Sequence, residues 1–257
     1  MRLFQALFVG LVIVGLSIFL ISCGTNDANY RVVHTIAAIA NQYSIDIDVN
    51  DASPVITSST WADVAFTNVE PAGSYQKIAA GSDPIEVFQT GTLTPVINST
   101  PMNLGQNYYT VILLGAGPTQ PPITSPAALV LSDNNNTPTQ GNGEFRIINA
   151  TASVSNSGGL DIYLLPSGTV FPNQGIQPDV SALGYGQPSS YVSKTGSSGG
   201  TGGGYQLYVT PHGSQISYIR GYSLPTLAVG QIYSIVLVDF PGGGYIDAQP
   251  IILTDLR

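Results

Sequence analysis

Five residues, Ile45-Asp46-Ile47-Asp48-Val49, return as Leu160-Asp161-Ile162-Tyr163-Leu164 at a spacing of 115 residues. Each copy alternates apolar and polar side chains, which in an extended chain sends successive residues to opposite faces. Both read as half-buried β-strands, and the chain reads as one β-rich unit written twice. Tyr30-Arg31-Val32-Val33-His34 is answered by Phe145-Arg146-Ile147-Ile148-Asn149 at the same spacing. Leu104-Gly105-Gln106-Asn107-Tyr108 is answered by Val229-Gly230-Gln231-Ile232-Tyr233 at a spacing of 125, so ten residues are inserted earlier in the second unit.

Between these landmarks the first unit offers Val64-Ala65-Phe66 and Ile85-Glu86-Val87-Phe88 as strands, and the second offers Leu183-Gly184-Tyr185, Ser190-Tyr191 and Tyr205 to Val209. Thr110 to Leu114 and Ile235 to Val238 are apolar on both faces, which belongs inside a sandwich rather than at an edge. The Gly-Gln-x-Tyr entrance to each suggests a tyrosine corner, the phenol bonding backbone across the loop, or a Tyr buried by its ring alone. Leu129 to Asp133 and Ile251 to Asp255 read as closing strands. The Gly/Ser run from Thr195 to Gly204 reads as a hairpin loop; without a Lys-Ser/Thr ending and a following helix it does not read as a phosphate loop.

The expected architecture is all-β: two tandem immunoglobulin-like or transthyretin-like β-sandwich domains, at 30–133 and 144–257, joined by a polar linker at 134–143. A charged fraction of 9%, with 29 Gly and 18 Pro, fits turn-rich β structure and leaves no long charged helices. Seven scattered basic residues in a chain of net charge −8 assemble no cationic track, which excludes nucleic acid as a partner. The one cysteine permits no internal disulfide and no zinc site of several thiolates.

That cysteine ends an apolar run. Met1-Arg2 is followed by Leu3 to Ile21 and then Ser22-Cys23. Leu20-Ile21-Ser22-Cys23 resembles the lipobox of bacterial lipoproteins, which implies that residues 1–22 are a signal peptide, that Cys23 is lipidated, and that 23–29 is a short tether. An uncleaved membrane anchor and an ordinary signal peptide are the alternatives. Each places the bulk of the chain outside the cytoplasm. The absence of Asp after Cys23 resembles lipoproteins sorted to an outer membrane, where the cell has one.

The Arg-Val-Val-His opening, the apolar-Asp-Ile strand, the aromatic Tyr/Ser loop and the Gly-Gln-x-Tyr entrance together resemble the bacterial domain-of-unknown-function family 4397. That resemblance implies secreted or envelope-bound sandwiches, often in tandem, and brings no catalytic residues. The family's opening runs from His into a Ser-Pro-Asp turn, whereas this chain has Thr35-Ile36-Ala37-Ala38 and Asn149-Ala150-Thr151-Ala152.

Catalytic chemistry finds little here. The histidines are His34 and His212, in different repeats; His34 aligns with Asn149, which suggests a structural hydrogen bond, and His212 lies in a Pro-His-Gly turn. Asp46 and Asp48 are expected together on the solvent side of one strand, and the return of Asp46 as Asp161 suggests a bond to a neighbouring loop. Asp133-Asn134-Asn135-Asn136 is rich in oxygen ligands but lacks EF-hand spacing and its closing Glu, so a solvated linker is expected over a calcium site. Neither metal nor cofactor is expected. Tyr185, Tyr191, Tyr218, Tyr222 and Tyr245 are the candidate binding rings. The leading expectation is a lipid-anchored envelope protein, not an enzyme, whose modules bind or space at the surface with an envelope protein or glycan as partner. A structural subunit of an envelope assembly is the alternative, and an extracytoplasmic hydrolase comes third.

Overall fold

A computed structural model of the chain describes residues 26–36, 44–49, 60–116, 125–134, 136–152, 158–171, 175–198, 204–239 and 248–255. Among these, every regular element is a β-strand. The first unit contributes β1 (Asp27–His34), β2 (Ser44–Val49), β3 (Trp61–Ala65), β4 (Val69–Glu70), β5 (Gln76–Ala79), β6 (Gly81–Gln89), β7 (Pro95–Leu104), β8 (Tyr108–Leu114) and β9 (Ala127–Ser132). The second contributes β10 (Asn142–Ala150), β11 (Leu160–Pro166), β12 (Val180–Leu183), β13 (Val192–Thr195), β14 (Tyr205–Pro211), β15 (Ile219–Ser223), β16 (Ile232–Asp239) and β17 (Ala248–Thr254).

Each unit folds into two sheets. In the first, an inner sheet runs β4-β1-β8-β9, with β5 also on β1 and with β1 and β8 parallel, while an outer sheet runs β3-β2-β6-β7. The second unit repeats this as β13-β10-β16-β17, with β10 and β16 parallel, and β12-β11-β14-β15. Between inner and outer sheet lies a core: Tyr30, Val32, Val111 and Leu113 face Ile45, Ile47, Ile85 and Met102 in the first unit. Phe145, Ile147, Ile235 and Leu237 face Leu160, Ile162, Leu207 and Val209 in the second.

A third apolar cluster joins the units. Val33, Ile112, Leu114 and Leu131 on the far face of the first inner sheet pack against Ile148, Ala150, Val236, Val238 and Leu253 on the second. The body is therefore layered outer-inner-inner-outer, and both inner sheets are covered on both faces. Within β8, Val111 and Leu113 enter the first core while Ile112 and Leu114 enter the shared one, which explains why that strand lacks alternation. The two tandem units pack side by side, because each inner sheet has a second apolar face to bury.

Other details depart from the sequence reading. β1 begins at Asp27, where Asp27, Ala28 and Asn29 pair with Ala79, Ile78 and Lys77, so three residues of the expected tether are strand. β10 begins at Asn142, inside the expected linker. The Gly/Ser run connects β13 in the inner sheet to β14 in the outer one, so it crosses between sheets and is no hairpin. Register in the parallel pairs sets Tyr30 beside Tyr109 and Phe145 beside Tyr233. The repeat of Tyr233 is thus Tyr109 rather than Tyr108, and the spacing there is 124. The first unit fits one more residue between Gln106 and its Tyr.

Strand directions give the molecule two ends. Asn26 and Asp27, the 133–141 connection and Asp255 lie at one, the base: Ala80 N–H bonds Asn26 O, Asp133 N–H bonds Tyr108 O, and Asp255 N–H bonds Ile232 O. β1, β6, β8, β10, β14 and β16 all run away from it. The β6–β7 and β14–β15 hairpins therefore turn at the opposite, distal end. Tyr185, after β12, donates to Gly115 O, after β8, at 2.8 Å, so the distal ends of both units coincide.

Candidate functional site

A connected group of buried polar side chains lies across the shared face. Arg31 and Arg146 project from equivalent positions of β1 and β10 into the face between the inner sheets, where arginine survives burial only if its fork is filled. Arg31 Nε donates to Thr110 Oγ1 at 3.0 Å, its Nη1 to Thr254 O at 2.8 Å, and its Nη2 to the Asp255 carboxylate. Arg146 mirrors this: Nε donates to Ser234 Oγ at 3.1 Å, Nη1 to Ser132 O at 3.0 Å, and Nη2 to the Asp133 carboxylate.

The hydroxyls close the circuit. Thr110 donates to Asp133 Oδ2 at 2.8 Å, and Ser234 to Asp255 Oδ2 at 2.9 Å. Arg31, Thr110, Asp133, Arg146, Ser234 and Asp255 form a continuous ring in which each arginine is completed by the other unit's closing aspartate. Two rings of another kind flank it. Tyr75 lies under the Arg31 guanidinium at 4.7 Å and donates to Asp133 Oδ2 at 2.7 Å; Tyr191 lies under Arg146 at 5.1 Å and accepts from Asn134 N–H at 2.9 Å.

Burial and electrostatics act against each other in this ring. Burial alone would lower Arg146, but Asp133, Tyr191 and Asp255 together outweigh it and hold the guanidinium more firmly protonated than usual. Asp255 is pushed above the ordinary carboxylate value by burial and by Asp133, against the pull of both arginines. Burial likewise raises the Tyr191 phenol, to about 12. All four charges cancel, so the ring orients two surfaces and leaves no charge over for a ligand. Asp133, expected in a solvated linker, is buried in it.

The duplicated strand carries a second device. Asp46 Oδ1 accepts from Asp63 N–H at 2.8 Å and Oδ2 from Gly91 N–H at 2.9 Å. Asp161 Oδ1 accepts from Ala182 N–H at 3.0 Å and Oδ2 from Gly213 N–H at 2.9 Å. Asp63 and Ala182 sit at φ 53° and 54°, and Gly91 and Gly213 at 71° and 73°. Each carboxylate thus holds a left-handed residue at a bulge and the turn of a distal hairpin. Asp46 and Asp48 are both buried, not on open solvent as expected: β3 and the hairpin fold over Asp46, and Thr60 Oγ1 lies 3.5 Å from Asp48 Oδ1.

His212 Nδ1 lies 2.9 Å from Asp161 Oδ1, and Ser181 Oγ lies 3.4 Å from the same nitrogen. A nucleophile relay needs the hydroxyl and the carboxylate on opposite ring nitrogens. Here both crowd one, which orients the turn and activates nothing. Burial opposes ionisation of Asp161, but the Gly213 N–H, His212, the Ala182 N–H and Ser181 hold its carboxyl below the ordinary value. His34 Nδ1 accepts from Ile36 N–H at 3.3 Å, as Asn149 Oδ1 accepts from Thr151 N–H at 3.0 Å. The same role falls to both.

The tyrosines proposed as contacts separate. Tyr185 is 7% exposed and belongs to the shared apolar cluster, so its ring is not on the surface. Tyr191 is half-buried under Arg146, and Tyr218 packs against the second core. Tyr222 is 43% exposed. Tyr245 and Cys23 lie outside the described residues, as do 1–25. Tyr109, not Tyr108, makes the corner: its hydroxyl accepts from Gly105 N–H at 2.8 Å. What sequence reasoning missed is the ring. Its signal was there, since two of only seven basic residues recur at the same spacing and each closing strand ends in Asp.

The arrangement is that of a doubled all-β sandwich protein locked across a pseudo-two-fold face. The family model described as "Domain of unknown function (DUF4397)" matches residues 28–163, the first unit together with β10 and the start of β11. The chain belongs to that family. No curated protein matches it. Among solved structures, it is similar to a "putative cell adhesion protein" from Bacteroides ovatus, at 9% identity over 90% of this chain and 97% of that chain, with a TM-score of 0.22. Another, of the same description and from Bacteroides fragilis, shows 11% identity over 90% and 98%, with a TM-score of 0.20. At TM-scores this low, neither carries weight for fold or function.

Proposed function

We propose that this is a lipid-anchored, extracytoplasmic protein of the bacterial cell envelope, whose two non-catalytic sandwiches stand on the membrane and present their distal loops to an envelope protein or a glycan. One observation carries the reading. The chain enters the fold at the base, through Asn26 and Asp27, and the two hairpins turn at the far end with Leu93 54% and Ile216 73% exposed on them. A large aliphatic side chain on a loop tip is costly in water and useful against a partner. Asp46 and Asp161 fix both turns, which lowers the entropy lost on binding.

Two experiments test it. Labelling cells with a palmitate analogue should tag the wild type and not Cys23→Ala; equal labelling would sink the anchor. Crosslinking on intact envelopes should capture a partner that Leu93→Ser with Ile216→Ser loses, and an unchanged adduct would sink the distal contact. Assembly by strand addition, the alternative, meets a blunted edge: β7, the long free edge of an outer sheet, carries Pro95 and Pro101 and two register shifts.

A further inference from the structure

The base of the second unit carries apolar side chains that neither core absorbs. Val170 is 77% exposed, Val229 43% and Tyr222 43%. Register places Tyr222, the penultimate residue of β15, and Val229, just before β16, toward the base. Val170 follows the turn that Thr169 N–H closes on Pro166 O at 3.1 Å at the base end of β11, before Phe171 reaches up onto Tyr163 and Tyr208. Val229 is held in place by a bond from its N–H to Ser197 O at 3.2 Å. Residues 167–178 and 224–231, which carry Val170 and Val229, contain no charged side chain.

The tether limits what can lie below them. Cys23 is four residues from Asp27, the first residue of β1, and at about 3.5 Å per residue the link spans at most about 14 Å. Headgroups occupy roughly 5 to 8 Å on each side of the hydrocarbon. On the anchored reading, which this inference rests on, the tether keeps the base within reach of the headgroups. A single short link at the first unit leaves the whole locked body free to tilt, which carries the base of the second unit toward the surface or away from it.

We propose that Val170, Tyr222 and Val229 enter the lipid interface as a second contact, so that the protein stands upright on two feet, one acyl and one apolar. The lipid is a neutral headgroup surface. A chain of net charge −8 gains nothing from anionic lipid, and the two segments bring no charge to desolvate. Aliphatic and Tyr side chains suit that boundary, the ring apolar and the hydroxyl wet.

Nitroxide depth measurements on the full chain in phosphatidylcholine vesicles test this. With Cys23 acylated, Val170→Cys, Val229→Cys, Leu93→Cys and Ile216→Cys each give a single labelling site. Labels at 170 and 229 should collide severalfold less with a water-soluble nickel chelate, and more with oxygen, than labels at 93 and 216. Equal nickel accessibility at all four, or shielding at 93 and 216 instead, would overturn the contact. The intact mass of the same samples reports acylation separately: an unmodified Cys23 sinks the anchor, whereas shielded 170 and 229 on vesicle-held protein would still support the contact.

Discussion

The two units agree where they meet and differ where they face outward. On the inner faces Arg31, Thr110, Asp133 and Tyr75 are matched by Arg146, Ser234, Asp255 and Tyr191, partner for partner. On the outer sheets, the cross-strand pair Asp48 and Glu86 is replaced by Tyr163 and Tyr208, and Phe171 stacks on both at 4.8 and 4.7 Å between centroids. An inner-face residue must satisfy groups on the other unit as well as its own, so a change on one side orphans a partner on the other. An outer-face residue answers only to its own loops, and so an acidic pair could become an aromatic cluster.

The sharpest way to break that comparison is to open the ring. Arg31→Ala or Arg146→Ala strands a buried carboxylate and should each cost about 3 to 5 kcal/mol in chemical denaturation. The double variant should cost less than the sum, because both removals open one circuit. Losses below about 1 kcal/mol would show that the apolar face alone joins the units. Next comes that face: Ile112→Ala should cost about 2 to 5 kcal/mol, towards the upper part if the flat inter-sheet layer cannot collapse into the gap.

A pH series separates the two aspartate devices by sign. Asp161 is held below its unfolded value, so its contribution is present above the ordinary carboxylate range and is lost as pH falls through the folded value. The stability gap between wild type and Asp161→Asn should therefore narrow in acid. Asp255 is held above its unfolded value, so its protonated form favours the fold and that contribution fades as pH rises through the folded value. A gap for Asp161→Asn that stays constant down to strong acid would remove the electrostatic account of the hairpin staple. The smallest effect belongs to Tyr109→Phe, about 1 kcal/mol from the lost bond to Gly105 N–H. Tyr233→Phe should cost less if its stacking on Phe145, at 5.9 Å, is the dominant contact.

Much of this was legible in one dimension. Period-two alternation located β2 and β11, and the repeat spacing located β1 and β10. The continuous apolar runs of β8 and β16 were read as interior strands, and they are central in their sheets. The candidate sites were less legible. Tyr185 reads as an exposed loop aromatic, and Asp133 as the edge of a polar linker; each is buried by residues of the other unit. No local pattern contains that information, because both partners lie far away in sequence.

The amino-acid order alone determined that there are two copies, that each pairs strands about an apolar core, and that an apolar run of sequence precedes Cys23. Those features depend on local periodicity and on neighbours within one unit. Tertiary structure decided the rest: that the inner sheets have second apolar faces which must cover one another, that each arginine takes its counter-charge across the join, and that chain entry and hairpin tips fall at opposite ends. The physical reason is burial. A charged or apolar side chain looks the same in a sequence whether it meets water or a distant strand, and only the packed fold says which.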